Sequence, residues 1–126
     1  MLNIELRFRA FSKKTQRMYK SGPLSFSKDQ HSFRFYSDTE MEGLKDEDME
    51  LMQYTGQKDK NNNDVYQRDI ILLNEKKHII VWDNNRGGWS YTDVERQITM
   101  TPFGRSEANN CEVIGNQFEN PELLKP

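Results

Sequence analysis

The stretch Met52-Gln-Tyr-Thr-Gly-Gln-Lys-Asp-Lys-Asn-Asn-Asn-Asp-Val-Tyr-Gln-Arg-Asp-Ile70 decides the fold. It reads as a strand, a tight polar turn and a second strand. Val and Tyr favour extended backbone, while Gly56 and the run Asp59 to Asp64 tolerate positive φ and bond back to their own backbone. Nothing in this stretch specifies a reaction.

On its C-terminal side the β pattern continues. Ile70-Ile-Leu-Leu73, the polar turn Asn74-Glu-Lys-Lys77 and His78-Ile-Ile-Val-Trp-Asp83 predict a hairpin buried in the middle of a sheet. Asn84-Asn-Arg-Gly-Gly88 predicts a further turn, Trp89-Ser-Tyr91 the next strand, and Val94 to Met100 a strand pairing after it, ended by Pro102. Five or six closely spaced strands suit a small antiparallel barrel or sandwich. Ser106 is expected to cap a single helical turn, Cys111 to Ile114 to form a last strand before Gly115, and Pro121 to open a short helix. Phe118 and Leu123 can pack back onto the barrel.

On its N-terminal side Leu2, Ile4, Leu6, Phe8 and Ala10 alternate with Asn3, Glu5, Arg7 and Arg9, predicting a strand with one buried and one wet face. Arg17-Met-Tyr-Lys can return as its partner, and Gly22-Pro23 closes that hairpin. Leu24 to Phe26 and Ser32 to Tyr36 read as short edge strands. Residues Ser37 to Glu50 turn acidic and suggest a helical turn or two, capped at Ser37, Asp38 or Thr39, with Gly43 against it. The expected organisation is a β-rich N-terminal region, residues 1–50, with a partly helical acidic segment, followed by the barrel at residues 51–126.

A chain of 126 residues suits one compact unit. Hydrophobic residues make up only 34%, so the fourteen aromatics (seven Phe, five Tyr, two Trp) are expected to carry the core. Cys111 is the single cysteine, which excludes an intrachain disulfide and favours a reducing compartment. With no long apolar run and no signal-peptide pattern, a soluble cytoplasmic protein is expected. The net charge of −2 conceals a segregation: residues 1–37 hold eight Lys/Arg against two acids, residues 38–50 one against seven, and residues 51–126 nine against eleven. The acidic block and basic arm either face solvent or lie together, or the basic arm binds phosphates.

Several residues together look familiar. Phe8-Arg-Ala-Phe11 with Lys13, Lys14 and Met18, Met52-Gln-Tyr-Thr-Gly56, Lys58-Asp-Lys60, Tyr66, Asp69-Ile70, Val113-Ile-Gly115 and Glu119-Asn-Pro-Glu-Leu123 resemble, in order and spacing, the pattern of the YopX family of bacteriophage and prophage proteins. Two positions depart from it: Asn61-Asn62 stands where Asn-Gly is usual, and Arg68 where Gly is usual. The resemblance implies an SH3-like β-barrel with added N-terminal structure, a phage or prophage origin, and no established activity or catalytic residue.

No constellation of reactive side chains rises above a bland reading. His31 and His78 lack neighbours at metal-ligand spacing, so no metal is expected. Cys111 reads as a small core hydrophobe rather than a nucleophile. Asp59, Asp64 and Asp69 lack the spacing of a Ca²⁺ loop and read as turn residues. Gly87-Gly88 lacks the Lys of a phosphate loop. No cofactor is implied. What remains is a candidate interaction surface of Tyr54, Tyr66, Trp82, Trp89 and Tyr91, which either fill the core or form an exposed aromatic patch. Arg7, Arg9, Lys13, Lys14, Arg17 and Lys20 make a candidate basic surface. The expectation is a non-enzymatic module that binds a protein partner or itself as a homo-oligomer, with nucleic-acid binding through the basic arm and stacked aromatics as the alternative.

Overall fold

The structure, a computed structural model, describes residues 6–20, 24–26, 33–35, 44–45, 49–96 and 99–125. It has the expected class: mainly β, with antiparallel sheets. Two compact units divide the chain, one within residues 5–53 and one within residues 54–126.

In the first unit β1 (Phe8–Ser12) and β2 (Arg17–Lys20) form a hairpin, with Ser12 opposite Arg17 and Arg9 opposite Lys20. β1 also pairs with residues 49–53 of β6 (Met49–Lys58). Ala10, Tyr19 and Met49 are buried together, with Phe8 and Leu51 packed against them. β3 (Leu24–Phe26), β4 (Phe33–Phe35) and β5 (Leu44–Lys45) form a second small antiparallel sheet with β4 in the middle.

Three expectations change here. The alternation expected from Leu2 onward becomes regular strand only at Phe8, Leu6 is exposed, and Leu2 and Ile4 lie outside the described residues. Arg9, expected on the wet face, is buried, with Lys20 and Met52 as its cross-strand neighbours. Within the acidic segment, Leu44 and Lys45 pair with Phe35 and Arg34 as strand where a helix was expected, so cross-strand pairing overrides weak local propensity. The cap candidates Ser37, Asp38 and Thr39, with Gly43, lie outside the described residues, as do Gly22-Pro23 and His31.

The second unit holds the organising stretch. The remainder of β6 and β7 (Asp64–Tyr66) make the expected hairpin around the Asn-rich turn. β8 (Asp69–Leu73), β9 (Lys76–Asp83), β10 (Gly88–Asp93), β11 (Thr101–Pro102) and β12 (Glu112–Asn116) make a five-stranded antiparallel sheet in the order β11-β10-β9-β8-β12. Both faces are covered. Ile71, Leu73 and Ile80 pack on one face with Val65 of β7, Phe103 and Cys111, together with Ala108 of the short helix α1 (Arg105–Asn110). Ile70, Ile79 and Val94 pack on the other with Val81, Ile114, Leu123 and Leu124. Because neighbouring residues point to opposite faces, a two-sided core requires the unbroken apolar runs seen in β8 and β9.

The turns refine the sequence reading. The β8–β9 connection is two residues, Asn74 and Glu75, both at positive φ (52° and 65°), rather than the four-residue turn expected. Val94 to Arg96 form a turn instead of the start of a strand, because the Asp93 carboxylate accepts the Glu95 and Arg96 N–H groups (2.8 and 3.4 Å). The pairing strand is Thr101–Pro102, at a sheet edge where proline's missing N–H costs nothing. Helix α1 is capped at Gly104, whose N–H donates to Glu107 (2.8 Å), not at Ser106. The last strand runs through Gly115 to Asn116, with a register shift after Val113. Pro121 opens a 3₁₀ turn, Pro121–Leu124, as expected.

The two departures from the family pattern are both left-handed positions: Asn62 at φ 65° and Arg68 at φ 72°. A residue with a Cβ pays roughly 1–2 kcal/mol there, and Asn pays least. Gly115 has a different constraint. A Cβ on it would fall 2.6 Å from Asn120 Oδ1 and 2.9 Å from Leu123 Cδ1, and Asn120 is held in place by the Asn116 N–H (3.1 Å). Arg68→Gly is therefore expected to stabilise the protein by about 0.5–1 kcal/mol, whereas Gly115→Ala destabilises it by about 1–3 kcal/mol. Urea denaturation of the two variants beside the parent checks both signs.

Candidate functional site

The β9–β10 hairpin is built so that its aromatics meet. The register sets Trp82 opposite Trp89, Ile80 opposite Tyr91 and His78 opposite Asp93, so these six residues share one face. The two indoles meet edge to face, ring centres 5.0 Å apart at 78°. Trp82 is 43% exposed, while Trp89 is half-buried against the inner core. The register between β8 and β9 begins at Ile70–Ile79, so the Trp82 end of β9 extends past it beside β10.

The turn that carries this corner is heavily tied. Asp83 Oδ1 accepts the Asn85 and Arg86 N–H groups (3.0 and 3.4 Å), and the Gly87 N–H donates to the Asp83 carbonyl (2.7 Å) with Gly87 at φ 73°. The Arg86 guanidinium folds back to donate to the Trp89 carbonyl and to Ser90 Oγ (2.9 Å). Arg86 was not singled out from the sequence, and only its place in the turn could have marked it.

The other aromatic candidates are core residues. Tyr54 and Tyr66 are each only 5% exposed and pack on one another (5.6 Å, 47°), so they form no surface. Opposite positions on β6 and β7 turn them inward together. Tyr91 is half-buried, edge to face with His78 (5.0 Å) and with Phe103 (6.4 Å). Of the five, the structure brings Trp82 and Trp89 together at the surface.

The basic candidates separate likewise. Lys13, Lys14, Arg17 and Lys20 are exposed around the β1–β2 turn, while Arg7 is half-buried and Arg9 buried. Lys13 pairs with Glu50 at 3.2 Å.

Cys111 and the aspartates singled out from the sequence are tied into the scaffold. Cys111 is fully buried, and burial, assisted by the nearby Asp59 charge, pushes its thiol up to about 11. Asp59 and Asp69 act as turn residues, as expected: Asp59 accepts the Asn61 and Asn63 N–H groups (2.9 and 2.8 Å), and Asp69 accepts the Tyr66 N–H (2.7 Å). Asp64 pairs with Lys58 at 2.8 Å. Among the described residues no group of three potential metal ligands comes together. A cleft of about 330 Å³ beside the β8–β9 turn is lined by Glu75, Lys76, Lys77, Asp93, Val94, Glu95 and Arg96, whose charges balance and give it no net sign. No helix among the described residues is long and apolar enough to cross a membrane.

Fold and site define a mainly antiparallel β protein that carries an aromatic corner on its β9–β10 hairpin. A family model described as YopX protein matches residues 7–125, and the chain belongs to that family. The fold is similar to the crystal structure of protein EF1440 from Enterococcus faecalis, with a TM-score of 0.75 and 23% identity over 98% of this chain and 100% of that one. It is also similar to the crystal structure of protein yopX from Bacillus subtilis, with a TM-score of 0.62 and 18% identity over 95% and 96% of the two chains. No curated protein matches the sequence.

Burial lowers the pKa of His78, and the Leu73 backbone and Asp93 only partly oppose it, with Lys76 adding to the lowering. The folded protein thus binds fewer protons at this site than the unfolded chain, and stability present above the ordinary histidine pKa of 6.5 is lost as pH falls below it. Urea midpoints at pH 7, 6 and 5 are expected to fall more steeply for the parent than for His78→Gln. Parallel curves would contradict this.

Proposed function

We propose that this YopX-family chain is a non-enzymatic accessory module of phage or prophage origin that binds another protein, or a second copy of itself, through the Trp82–Trp89 corner. The observation that carries the reading is the 43% exposure of Trp82 on a hairpin whose turn is fixed by Asp83, Gly87 and Arg86. A large apolar side chain held rigid at the surface loses little entropy on docking, and tryptophan is the residue type most enriched at binding hot spots. The alternative contact, strand addition at the edges of the five-stranded sheet, has less support. β11 is two residues long and contains Pro102, while at β12 the Val113 N–H already donates to Asp59 Oδ2 (2.8 Å).

Trp82→Ala is expected to weaken partner capture from phage-infected cells, or self-association by light scattering across a concentration series, by roughly thirty-fold. Its thermal stability should stay close to the parent's, since the indole is largely outside the core. Retention of the same partner or assembly by Trp82→Ala, or a parent that stays monomeric and captures nothing, would remove the reading.

A further inference from the structure

Arg68 holds a conformation for which its own side chain returns no polar contact. It stands at φ 72°, in the left-handed region that a Cβ disfavours. The other such residues each have a local reason. Asn62 is of a type that tolerates the region, Asn74 and Glu75 make a two-residue hairpin that imposes positive φ, and the Gln16 side chain donates to the Lys13 carbonyl (2.7 Å). Arg68 lies between β7 and β8, which are not paired with each other, and its half-buried guanidinium makes no hydrogen bond or ion pair with the described residues. A strained residue whose side chain has no polar partner within the chain points to one outside it.

The backbone sets where that contact falls. The Arg68 N–H donates to the Ile80 carbonyl (2.9 Å) and the Arg68 carbonyl accepts the Gln117 N–H (3.0 Å), so the residue is pinned on both sides. Ile80 shares a face with Trp82, two residues further along β9. Diagonal cross-strand neighbours lie about 7–8 Å apart, a span that a long side chain covers. Arg68 therefore brings a guanidinium to the part of β9 that runs past β8 and carries the exposed indole. The carboxylates nearest to these residues in the chain are occupied: Asp69 is buried and accepts the Tyr66 N–H (2.7 Å), and Asp83 Oδ1 accepts the Asn85 and Arg86 N–H groups. The Arg86 guanidinium is turned to Ser90, whose side chain lies on the face of β10 opposite to Trp89.

We propose that Arg68 acts together with Trp82 and that the occupant of the corner is an acidic segment of another protein, its carboxylate taken by the Arg68 guanidinium while an apolar side chain seats on the Trp82 indole. This rests on the Trp82 reading above and names the partner class for it. A guanidinium presents its N–H donors in a fork that matches a carboxylate, and tryptophan and arginine are among the residue types most enriched at binding hot spots. A nucleic-acid strand fits less well. Residues 51–126 hold nine Lys/Arg against eleven acids, so this part of the chain offers one guanidinium for one carboxylate rather than a positive field for a phosphate backbone.

The test is selection of random peptides of about twelve residues, by ribosome display, on the immobilised full chain, followed by fluorescence anisotropy of the most enriched peptide. Selected peptides are expected to carry Asp or Glu within about one helical turn or strand step of an aromatic or large aliphatic anchor. Arg68→Gln is expected to weaken the best of them by about ten- to hundred-fold, and replacing the peptide's acid by its amide then costs nothing further in that variant. Arg68→Lys, which keeps the charge and loses the fork, should fall between. Arg68→Gly separates a lost contact from misfolding, since its urea midpoint is expected to rise while its affinity drops as for Arg68→Gln. Peptides that need Trp82 but show no enrichment in acids, or that bind Arg68→Gln as tightly as the parent, would overturn the role of Arg68 and leave the aromatic corner standing. Selected peptides that bind Trp82→Ala unchanged would take the corner reading down as well. Failure to select any peptide, displacement of the peptide by an oligothymidylate of about the same length, or self-association of the parent that Arg68→Gln abolishes would each overturn the acidic segment as occupant.

Discussion

One buried carboxylate holds the second unit together. Asp59 is 4% exposed, and its two oxygens accept three backbone N–H groups: Asn61 and Asn63 within its own loop, and Val113 on the last strand, 54 residues away. The Lys60 N–H adds a fourth bond to the Cys111 carbonyl (3.0 Å). Hydrogen bonds to a charged acceptor contribute about 1.5–3 kcal/mol each, enough together to offset the desolvation of one carboxylate. The surface pair Lys60–Glu112, at 4.0 Å, adds little beside them. Because Asp59 directly follows β6 and Val113 lies in β12, this residue joins the first hairpin of the unit to its last strand. Val65, carried by that hairpin, then reaches the inner core.

The residues by which the sequence resembles its family turn out to be fold determinants. Tyr54 packs on Tyr66, and Thr55 Oγ1 donates to the Val65 carbonyl (2.7 Å). Gly56 takes φ 87° where the register between β6 and β7 shifts. Asp69 closes the turn after Tyr66. Val113-Ile-Gly115 and Glu119-Asn-Pro-Glu-Leu123, separate in sequence, are halves of one contact, in which Gly115 makes room for Asn120 and Leu123 while Asn116 binds the Phe118 and Glu119 N–H groups (3.0 and 2.8 Å). These pairings explain how family membership fixes a fold.

The same distinction marks what was legible in the sequence. The central hairpins were readable because Ile70 to Leu73 and Ile79 to Val81 are uniformly apolar and the intervening turns are rich in Asn and Gly. The departure at Arg68 also falls on a left-handed residue, a backbone state that the sequence suggested for the Asn61-Asn62 turn and not for Arg68. Reading failed where side-chain hydrogen bonds redirect the chain, as Asp93 does at Val94, and where burial does not follow strand alternation, as at Arg9. Of the candidate aromatics, hairpin position alone did not separate Tyr54 and Tyr66 from Trp82. Cross-strand partnering did: the tyrosines face each other inside the unit, and Trp82 lies at the end of a strand that has run past β8.

The β9–β10 and β1–β2 turns are ordered differently from the β8–β9 turn and the turn at Arg68. At Asn74-Glu75 and at Arg68 the backbone is left-handed at residues bearing a Cβ, and packing of the flanking strands β8 and β9 must offset that cost. The β9–β10 turn places glycine at its positive-φ position and adds the Arg86 bonds, so the tryptophans stand on a turn that needs less support from the core. The β1–β2 tip keeps Gln16 left-handed but surrounds it with bonds from Ser12, Thr15 and its own side chain. In both cases the order comes from bonds local to the turn. The exposed side chains therefore stand on turns whose order does not depend on the packing of the strands beneath them.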